Sequence, residues 1–203
     1  MMTIIDYGLG NIQAIANIYR RLEIPVTIAA NAEQLRGAGK VVLPGVGAFD
    51  WAMARLNESG MREPLELLVA TGAQVLGICV GMQMMARRSD EGALAGLGWI
   101  EAEVKIFEDS RFAQKTHLPH MGWNDVVPRR TDCLFRGMER GARFYFLHSY
   151  YVVPGRDGDV LATADYGGAF ACSVRSGNVF GVQFHPEKSH QAGIQLLKNF
   201  AEI

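Results

Sequence analysis

The sequence lacks any apolar run near the roughly 18 residues that span a bilayer, which argues against a membrane protein. It also lacks a basic run, because 20 Lys and Arg balance 21 Asp and Glu, so neither nucleic acid nor a membrane surface is expected as the main partner. Cysteine is scarce, with Cys79, Cys133 and Cys172 alone. Their odd number, wide spacing and lack of a C-x-x-C pair argue against a disulfide framework and a zinc site.

Apolar residues, in contrast, are plentiful. They make up 49% of the chain against 20% charged residues, enough to bury a large core. The 203 residues suit one domain spanning 1–203. The first residues, MMTIIDYG, carry no basic leader followed by an apolar core, so we expect a cytoplasmic protein with reduced thiols.

The order of the predicted elements indicates an α/β fold. In the first half, strands are predicted at 3–6, 26–30, 40–44 and 73–79, and helices after Ile12, over 48–71 with a break near Gly60, and over 82–87. Such alternation is typical of a parallel sheet with helices on both faces. Later strands follow one another, at 99–107, 123–127, 143–153, 160–166, 170–174 and 178–184, before a final helix over 189–201 with Ser189 as its N-cap. We therefore expect a parallel-core sheet flanked by helices, with a β-rich second half.

The segment GICVG (77–81) places Cys79 between two glycines, where a predicted strand gives way to a helix. A sharp turn of this kind exposes the side chain, and small neighbours let the chain pack tightly. The free N–H groups of a following helix favour a thiolate, and the Val80 N–H is placed to hold a developing oxyanion. The same stretch is compatible with an ordinary buried thiol. Cys133 and Cys172 have no such setting and are interpreted as structural or incidental.

The segment GVQFHPEKS (181–189) offers a base for such a thiol. His185 ends a predicted strand, Pro186 enforces an extended turn, and Glu187 follows. Imidazole takes a thiol proton and returns it to a leaving group near neutral pH, and a carboxylate fixes its tautomer. Alone, a strand-end histidine fits a solvent-facing or capping role equally well. With the cysteine, the pattern predicts a Cys-His-Glu triad.

Two glycine-rich segments complete the set of candidate motifs. LPGVGAF (43–49) is a strand that runs into a loop, which could supply a second oxyanion donor. It lacks the Lys-Ser/Thr ending of a P-loop, and DYGLGN (6–11) lacks the third glycine of a dinucleotide loop. His117 and His120 form an H-x-x-H pair without a nearby Cys or carboxylate, so no metal is predicted. No cofactor is predicted either, since thioester chemistry needs none.

Six blocks in order resemble the class I, triad-type glutamine amidotransferases: IIDYGLGN, LPGVGAF, LGICVGMQ, PHMGWN, FYFLHSYY and GVQFHPEKS. The resemblance covers nearly the whole chain. It is closest to the glutaminase subunits of imidazole glycerol phosphate synthase, to which PHMGWN and LPGVGAF point. It implies that Cys79 attacks the side-chain amide of glutamine to form a γ-glutamyl thioester. His185 would then shuttle the proton, Glu187 would orient His185, and ammonia and glutamate would leave.

The resemblance implies further site residues. Backbone N–H groups of the oxyanion hole would come from Val80, Gly45, Val46 and Gly47. Gln83 and Glu91 match positions that hold glutamine, and Ser149 and Tyr150 match a segment whose backbone meets its amino-acid end. The pattern PGVG is that of an oxyanion hole that forms fully only when a synthase partner is loaded, which implies low activity in isolation.

The resemblance also implies a partner. In the family, ammonia passes to a separate (β/α)8-barrel synthase subunit, forming a heterodimer that makes imidazole glycerol phosphate and AICAR in histidine biosynthesis. The positions that resemble its docking face are Tyr7, Asn11, Met121, Trp123, Asn124 and Lys188. Trp123 is alternatively a core aromatic. Tyr7 and Asn11 are alternatively a plain turn and a helix N-cap.

Two other functions remain open at this point. The first helix and the ending KSHQAGIQLLKNFAEI also resemble paralogous glutaminase subunits that supply ammonia to nucleotide-sugar amidotransferases of surface-polysaccharide pathways. A non-catalytic binding module on a glutaminase fold is the third possibility. Such a module is expected to lose a triad residue, whereas all three are present here.

Overall fold

The structure, a computed structural model, describes residues 1–108 and 118–203. Strands and helices alternate in the first half: β1 (Met2–Ile5), α1 (Ile12–Arg21), β2 (Val26–Ala29), α2 (Ala32–Leu35), β3 (Lys40–Gly45), α3 (Phe49–Glu58), α4 (Arg62–Ala70), β4 (Gln74–Cys79) and α5 (Val80–Met84). The remaining elements are β5 (Arg88–Ser89), β6 (Ala102–Ile106), β7 (His120–Pro128), β8 (Ala142–His148), β9 (Tyr150–Pro154), β10 (Val160–Asp165), β11 (Ala169–Ser176), β12 (Val179–Val182) and α6 (His190–Ala201).

The strands form one mixed sheet whose main path is β2-β1-β3-β4-β12-β11-β10-β7-β8. The segment from β2 to β12 is parallel, and the pairs from β12 to β8 are antiparallel. The parallel strands are mostly apolar, because helices cover them, and β1, β4 and β12 are almost wholly buried. The predicted parallel-core sheet flanked by helices, with a β-rich second half, is confirmed.

Strand β12 decides where the site lies. Although it comes from the β-rich half, it pairs in parallel with β4, with Val182 opposite Ile78. The carboxyl ends of β3, β4 and β12 therefore meet at one edge of the sheet, where α/β folds commonly bind ligands. Cys79 ends β4 and His185 follows β12, so two distant parts of the sequence come together there.

Several predicted elements differ in detail from the structure. The strand expected over 143–153 is two strands, β8 and β9, interrupted at Ser149, whose carbonyl accepts the Phe107 N–H at 3.2 Å. The helix expected over 82–87 begins earlier and is short, at Val80–Met84. Ser189 does precede α6, but its hydroxyl donates to the His185 carbonyl at 2.6 Å and accepts the Tyr145 N–H at 3.0 Å, so it holds the histidine turn instead of capping the helix.

The break near Gly60 is confirmed between α3 and α4, and the short elements α2 and β5 were not predicted. In the described part of the chain, no helix combines the length and apolar character needed to cross a membrane.

Candidate active site

Cys79 sits at a strained turn between β4 and α5. Its φ of 56° and ψ of −114° lie in a region that side-chain-bearing residues rarely adopt. Both neighbouring glycines are required by packing, because a Cβ on Gly81 would lie 2.0 Å from the Leu43 carbonyl oxygen and one on Gly77 would lie 2.7 Å from the Gly81 carbonyl oxygen. The glycines therefore let α5 press onto β3 and β4 and present the thiol at the sheet edge.

His185 connects the thiol to a carboxylate. Its ring lies beside Cys79 at the same cavity, and its Nδ1–H donates to Glu187 Oε1 at 2.8 Å. The same carboxylate oxygen accepts a hydrogen bond from Asn11 Nδ2 at 2.6 Å. The His185 and Glu187 side chains are almost fully buried, at 4% and 2% exposed, so the three predicted triad residues come together in a buried cluster beside the cavity.

Burial and neighbouring charge shift the pKa values of the triad residues in opposite directions. Burial lowers the pKa of His185, but its hydrogen bonds to Cys79 and Glu187 and the negative charge of both partners outweigh burial and raise the pKa to about 10. Burial raises the pKa of Glu187, but the hydrogen bond and charge of His185, together with the Asn11 hydrogen bond, bring the pKa below its ordinary value. The geometry therefore favours a protonated imidazole beside an ionised Glu187.

A cavity of about 310 Å³ opens onto this triad. It brings together most of the predicted catalytic, oxyanion and substrate positions, and its lining includes Asn11, Val46, Gly47, Cys79, Val80, Gln83, Glu91, Ser149, Tyr150, His185 and Lys188. Pro119, Leu147 and His148 also line it and were not predicted. Its volume is at the small end of the usual range for ligand sites, which suits an amino acid.

The loop from Gly45 to Ala48 crosses the cavity beside the nucleophile. Gly45 lies opposite Cys79 in the parallel pair of β3 and β4. A Cβ on Gly45 would lie 2.5 Å from the Gly81 amide nitrogen, so the loop and the turn pack backbone against backbone. Just after the loop, the Phe49 N–H donates to Glu91 Oε2 at 2.9 Å. Glu91 thus lines the cavity and also supports the start of α3.

Gln83 and Gln183 make a polar contact under the thiol. Gln83 Nε2 donates to the Tyr150 carbonyl at 3.1 Å and to Gln183 Oε1 at 3.0 Å. Gln183 Nε2 in turn lies 3.7 Å from Cys79 Sγ. Gln183 was missed by sequence reasoning, although the strand period of two puts it on the same face as His185. Gln83 lies at the predicted position, but its amide N–H groups are already bound within the protein.

The predicted docking residues fall into an exposed and a buried set. Met121 is 66% and Trp123 is 40% exposed, and the Trp123 ring stacks on His190 with centroids 5.2 Å apart, so Trp123 is not a core aromatic. Lys188 Nζ lies 5.6 Å from the centroid of the Tyr145 ring. Each of these side chains is available to a partner.

Tyr7 and Asn11 differ from that expectation. Tyr7 is only 3% exposed and its hydroxyl donates to the Pro44 carbonyl at 2.7 Å, so it lies beneath the end of β3 and not on the surface. Asn11 precedes α1 but its side chain makes no capping hydrogen bond, because it is turned towards Glu187. Its contact with the triad was not anticipated.

The remaining candidates take no part in this site. Cys133 is half-buried and Cys172 is fully buried, and burial raises the pKa of each thiol. His117 lies outside the described residues. Over 1–108 and 118–203, no three His, Cys, Asp or Glu side chains are grouped as metal ligands would be.

Known proteins are similar to this chain in sequence and in fold. The family model of the glutamine amidotransferase class-I domain matches residues 3–203. The chain is 59% identical to the imidazole glycerol phosphate synthase subunit HisH of Bdellovibrio bacteriovorus, over the full length of both. It is 46% identical to the subunit of the same name from Leptospira interrogans, again over the full length of both.

A solved structure with a similar fold is PurLQS from Thermotoga maritima, with a TM-score of 0.75 at 17% identity, covering 99% of this chain and 97% of that one. At such identity the likeness concerns the fold alone. The family match and the two full-length relatives carry the classification. The chain therefore belongs to the class-I glutamine amidotransferase family and, within it, to the HisH subunits of imidazole glycerol phosphate synthase.

Proposed function

We propose that the protein hydrolyses glutamine to glutamate and ammonia with Cys79 as nucleophile, His185 as proton shuttle and Glu187 as the carboxylate that orients His185. The buried hydrogen bond between His185 and Glu187, with Cys79 and His185 together at a small cavity, is the observation that carries this proposal. A buried imidazole between a thiol and a carboxylate suits acyl transfer, because one group can take and return the same proton.

In the first half of the reaction, His185 holds the thiol proton while Cys79 Sγ attacks the side-chain carbonyl carbon of glutamine. The oxyanion that forms would be stabilised by the Val80 N–H and by an N–H of the Gly45–Gly47 loop. The carbon–nitrogen bond then breaks, His185 gives its proton to the departing nitrogen, and ammonia leaves a γ-glutamyl thioester on Cys79.

In the second half, water attacks the thioester while His185 takes the proton from that water. The carbon–sulfur bond breaks, glutamate is released and the proton returns to the Cys79–His185 pair. The raised pKa of His185 suits the first step, since the imidazole already holds a proton when the nitrogen must leave.

The other cavity residues give the substrate an orientation. Glu91 offers a carboxylate to the α-ammonium group of glutamine, while its Oε2 keeps the Phe49 N–H. Ser149 and Tyr150 offer backbone groups at the strand break, where β8 ends and β9 begins. The substrate amide would then point towards Cys79.

We further propose that the ammonia is passed to a (β/α)8-barrel synthase subunit in a cytoplasmic heterodimer, which makes imidazole glycerol phosphate. The names of the full-length relatives support this acceptor over a nucleotide-sugar amidotransferase. Docking would use the exposed Met121 and Trp123, with Lys188 and Asn11 at the cavity, whereas Asn124 is half-buried and its amide is bound within the protein.

The test is glutamate release from glutamine by the purified chain, alone and mixed with an imidazole glycerol phosphate synthase barrel subunit and its nucleotide substrate. A large rise on mixing is expected, and Cys79→Ala should abolish it. Cys133→Ala is the matched control, because that thiol lies away from the cavity and should leave the rate unchanged.

Labelling separates the two parts of the proposal. The glutamine-analogue electrophile 6-diazo-5-oxo-norleucine should modify Cys79 in the wild type and in Cys133→Ala, but not in Cys79→Ala. Labelling without activation by the barrel subunit would refute the histidine-pathway partner and leave the triad intact. Absence of labelling with the partner present would refute the triad and favour a non-catalytic module.

A further inference from the structure

A chain of hydrogen bonds between two buried histidines runs alongside the cavity. His148 Nδ1 lies 2.7 Å from the Tyr150 carbonyl oxygen, and His148 Nε2 lies 3.0 Å from His120 Nδ1. His120 Nε2 lies 3.2 Å from Asn124 Nδ2, which also donates to the Asp165 carbonyl at 2.7 Å. The triad mechanism uses neither histidine, although His148 lines the cavity.

The groups at the two ends of this series of hydrogen bonds determine, in the same way, which atom donates and which accepts in each bond. A carbonyl only accepts, so His148 must carry its proton on Nδ1, and its neutral ring then accepts at Nε2. His120 must therefore donate from Nδ1 and accept at Nε2. At the other end, the Asn124 amide is oriented by the Asp165 carbonyl and by the Asp125 N–H, so Asn124 presents a donor to His120.

These hydrogen bonds can all form only while both histidine rings are neutral. A proton added to His120 at Nε2 would face the Asn124 donor, and one added to His148 at Nε2 would face the His120 donor. Burial supports neutrality. It lowers the pKa of His120 to about 4, and it outweighs the hydrogen bond to the Tyr150 carbonyl to lower the pKa of His148 to about 3. The rings of Phe146 and Tyr166 each stack on the His120 ring.

The Tyr150 carbonyl, which accepts the hydrogen bond of His148, belongs to a residue that lines the substrate cavity. Tyr150 accepts hydrogen bonds there from His148 and from Gln83, and Gln83 reaches Gln183 beneath Cys79. Tyr150 also directly follows Ser149, the residue at which the predicted long strand is interrupted. The Ser149 carbonyl is held by the Phe107 N–H, whereas the hydrogen bonds to the Tyr150 carbonyl come from the side chains of His148 and Gln83, so its orientation depends on these side chains.

We propose that His120 and His148 are positioning residues, which as a neutral pair with both protons on Nδ1 hold the Ser149–Tyr150 backbone in the orientation that receives glutamine. This proposal rests on the glutaminase function proposed above. It predicts an effect on glutamine binding more than on the chemical step, because neither ring touches the triad sulfur or the reacting carbon.

The tautomers are measured directly by long-range ¹H–¹⁵N NMR on ¹⁵N-labelled protein at about pH 6, near the ordinary pKa of histidine. His120→Asn and His148→Asn variants assign the two rings. Both are expected to show a protonated Nδ1 and a bare Nε2. A ring protonated on Nε2, or on both nitrogens, would overturn the proposal without reference to activity.

A matched pair of substitutions tests the consequence. In His120→Asn the side-chain amide stands near the Nδ1 position and keeps a donor for His148, whereas in His120→Gln the amide oxygen stands near Nε2 and leaves His148 without that donor. Both variants lose the same aromatic stacking. We expect the KM for glutamine to be about fivefold higher in His120→Gln than in His120→Asn, with kcat changing less, as for one lost hydrogen bond.

Equal KM values in the two variants, or a loss confined to kcat, would contradict the positioning role. The assay is glutamate release in complex with the synthase subunit, with electrophile labelling of Cys79 measured in each variant. If the wild type itself neither labels nor releases glutamate, the proposed function fails. If the wild type does both and the His120→Asn and His120→Gln variants have the same KM for glutamine, only the proposed role of the histidines fails.

Discussion

Asn11 gives the sharpest test of how the triad is held. Its Nδ2 donates to Glu187 Oε1 at 2.6 Å, on the same oxygen that receives the His185 Nδ1–H. A hydrogen bond to a buried charged group contributes about 1.5–3 kcal/mol, and about 1.4 kcal/mol corresponds to a factor of ten. Since Glu187 acts on Cys79 only through His185, part of this energy reaches the reaction. We therefore expect Asn11→Ala to slow reaction at Cys79 about tenfold.

Asn11→Asp separates this role from simple loss of contact. It replaces a donor with a second carboxylate against Glu187, and two carboxylates in one buried site raise the pKa of one of them. Glu187 would then lose its hold on the His185 tautomer. The aspartate variant should be at least tenfold slower than the alanine variant, although its side chain is closer in size to asparagine.

The assay is the rate of Cys79 alkylation by 6-diazo-5-oxo-norleucine in the isolated chain, so that a docking defect does not enter. Asn17→Ala is the control, because Asn17 lies on the exposed face of the same helix and only accepts from Arg20. A wild-type rate in Asn11→Ala, or an aspartate variant as fast as the alanine variant, would refute the reasoning and leave Asn11 as a docking residue only.

Two further predictions concern the turn at the nucleophile. In Cys79→Ala, the pKa of His185 should fall from about 10, because burial persists while one of the two partners that raise it is removed; an NMR pH titration that shows no fall would contradict the Cys79–His185 contact. Gly81→Ala should destabilise the protein by about 3 kcal/mol, because the new Cβ meets the Leu43 carbonyl, whereas Gly39→Ala, exposed and with nothing within 4 Å, should stay within about 0.5 kcal/mol. Urea denaturation compares the two, and equal midpoints would count against tight backbone packing at the turn.

The parallel half of the fold was predictable because each apolar run there is a whole strand. Strands β1, β3 and β4 begin and end within a residue or two of their apolar segments, and turn signals such as Gly60 fix the breaks. The second half was predicted less well at Ser149. There the run FYFLHSYYVV shows no polar interruption strong enough to reveal that the chain changes partner, from β7 to β6.

The triad was readable because its residue types are unusual where they stand, with a cysteine between glycines and a carboxylate two residues beyond a histidine. The residues that hold the site were not. Asn11 and Ser189 look like helix caps in the sequence, yet both side chains are used at the His185–Glu187 turn. Local patterns report local hydrogen bonds, and these two are made between distant segments.

The loop from Gly45 to Ala48 is held at both of its ends and exposed at Gly47. Before Gly45, the Pro44 carbonyl is held by the buried Tyr7 hydroxyl at 2.7 Å, and after Ala48 the Phe49 N–H is held by Glu91 at 2.9 Å. Gly47, at φ 86°, is exposed between these anchors. Any rearrangement that completes an oxyanion hole is therefore confined to the few peptides from Gly45 to Ala48. Because Glu91 is also the proposed partner of the substrate ammonium, binding of glutamine would act on one of the two anchors directly.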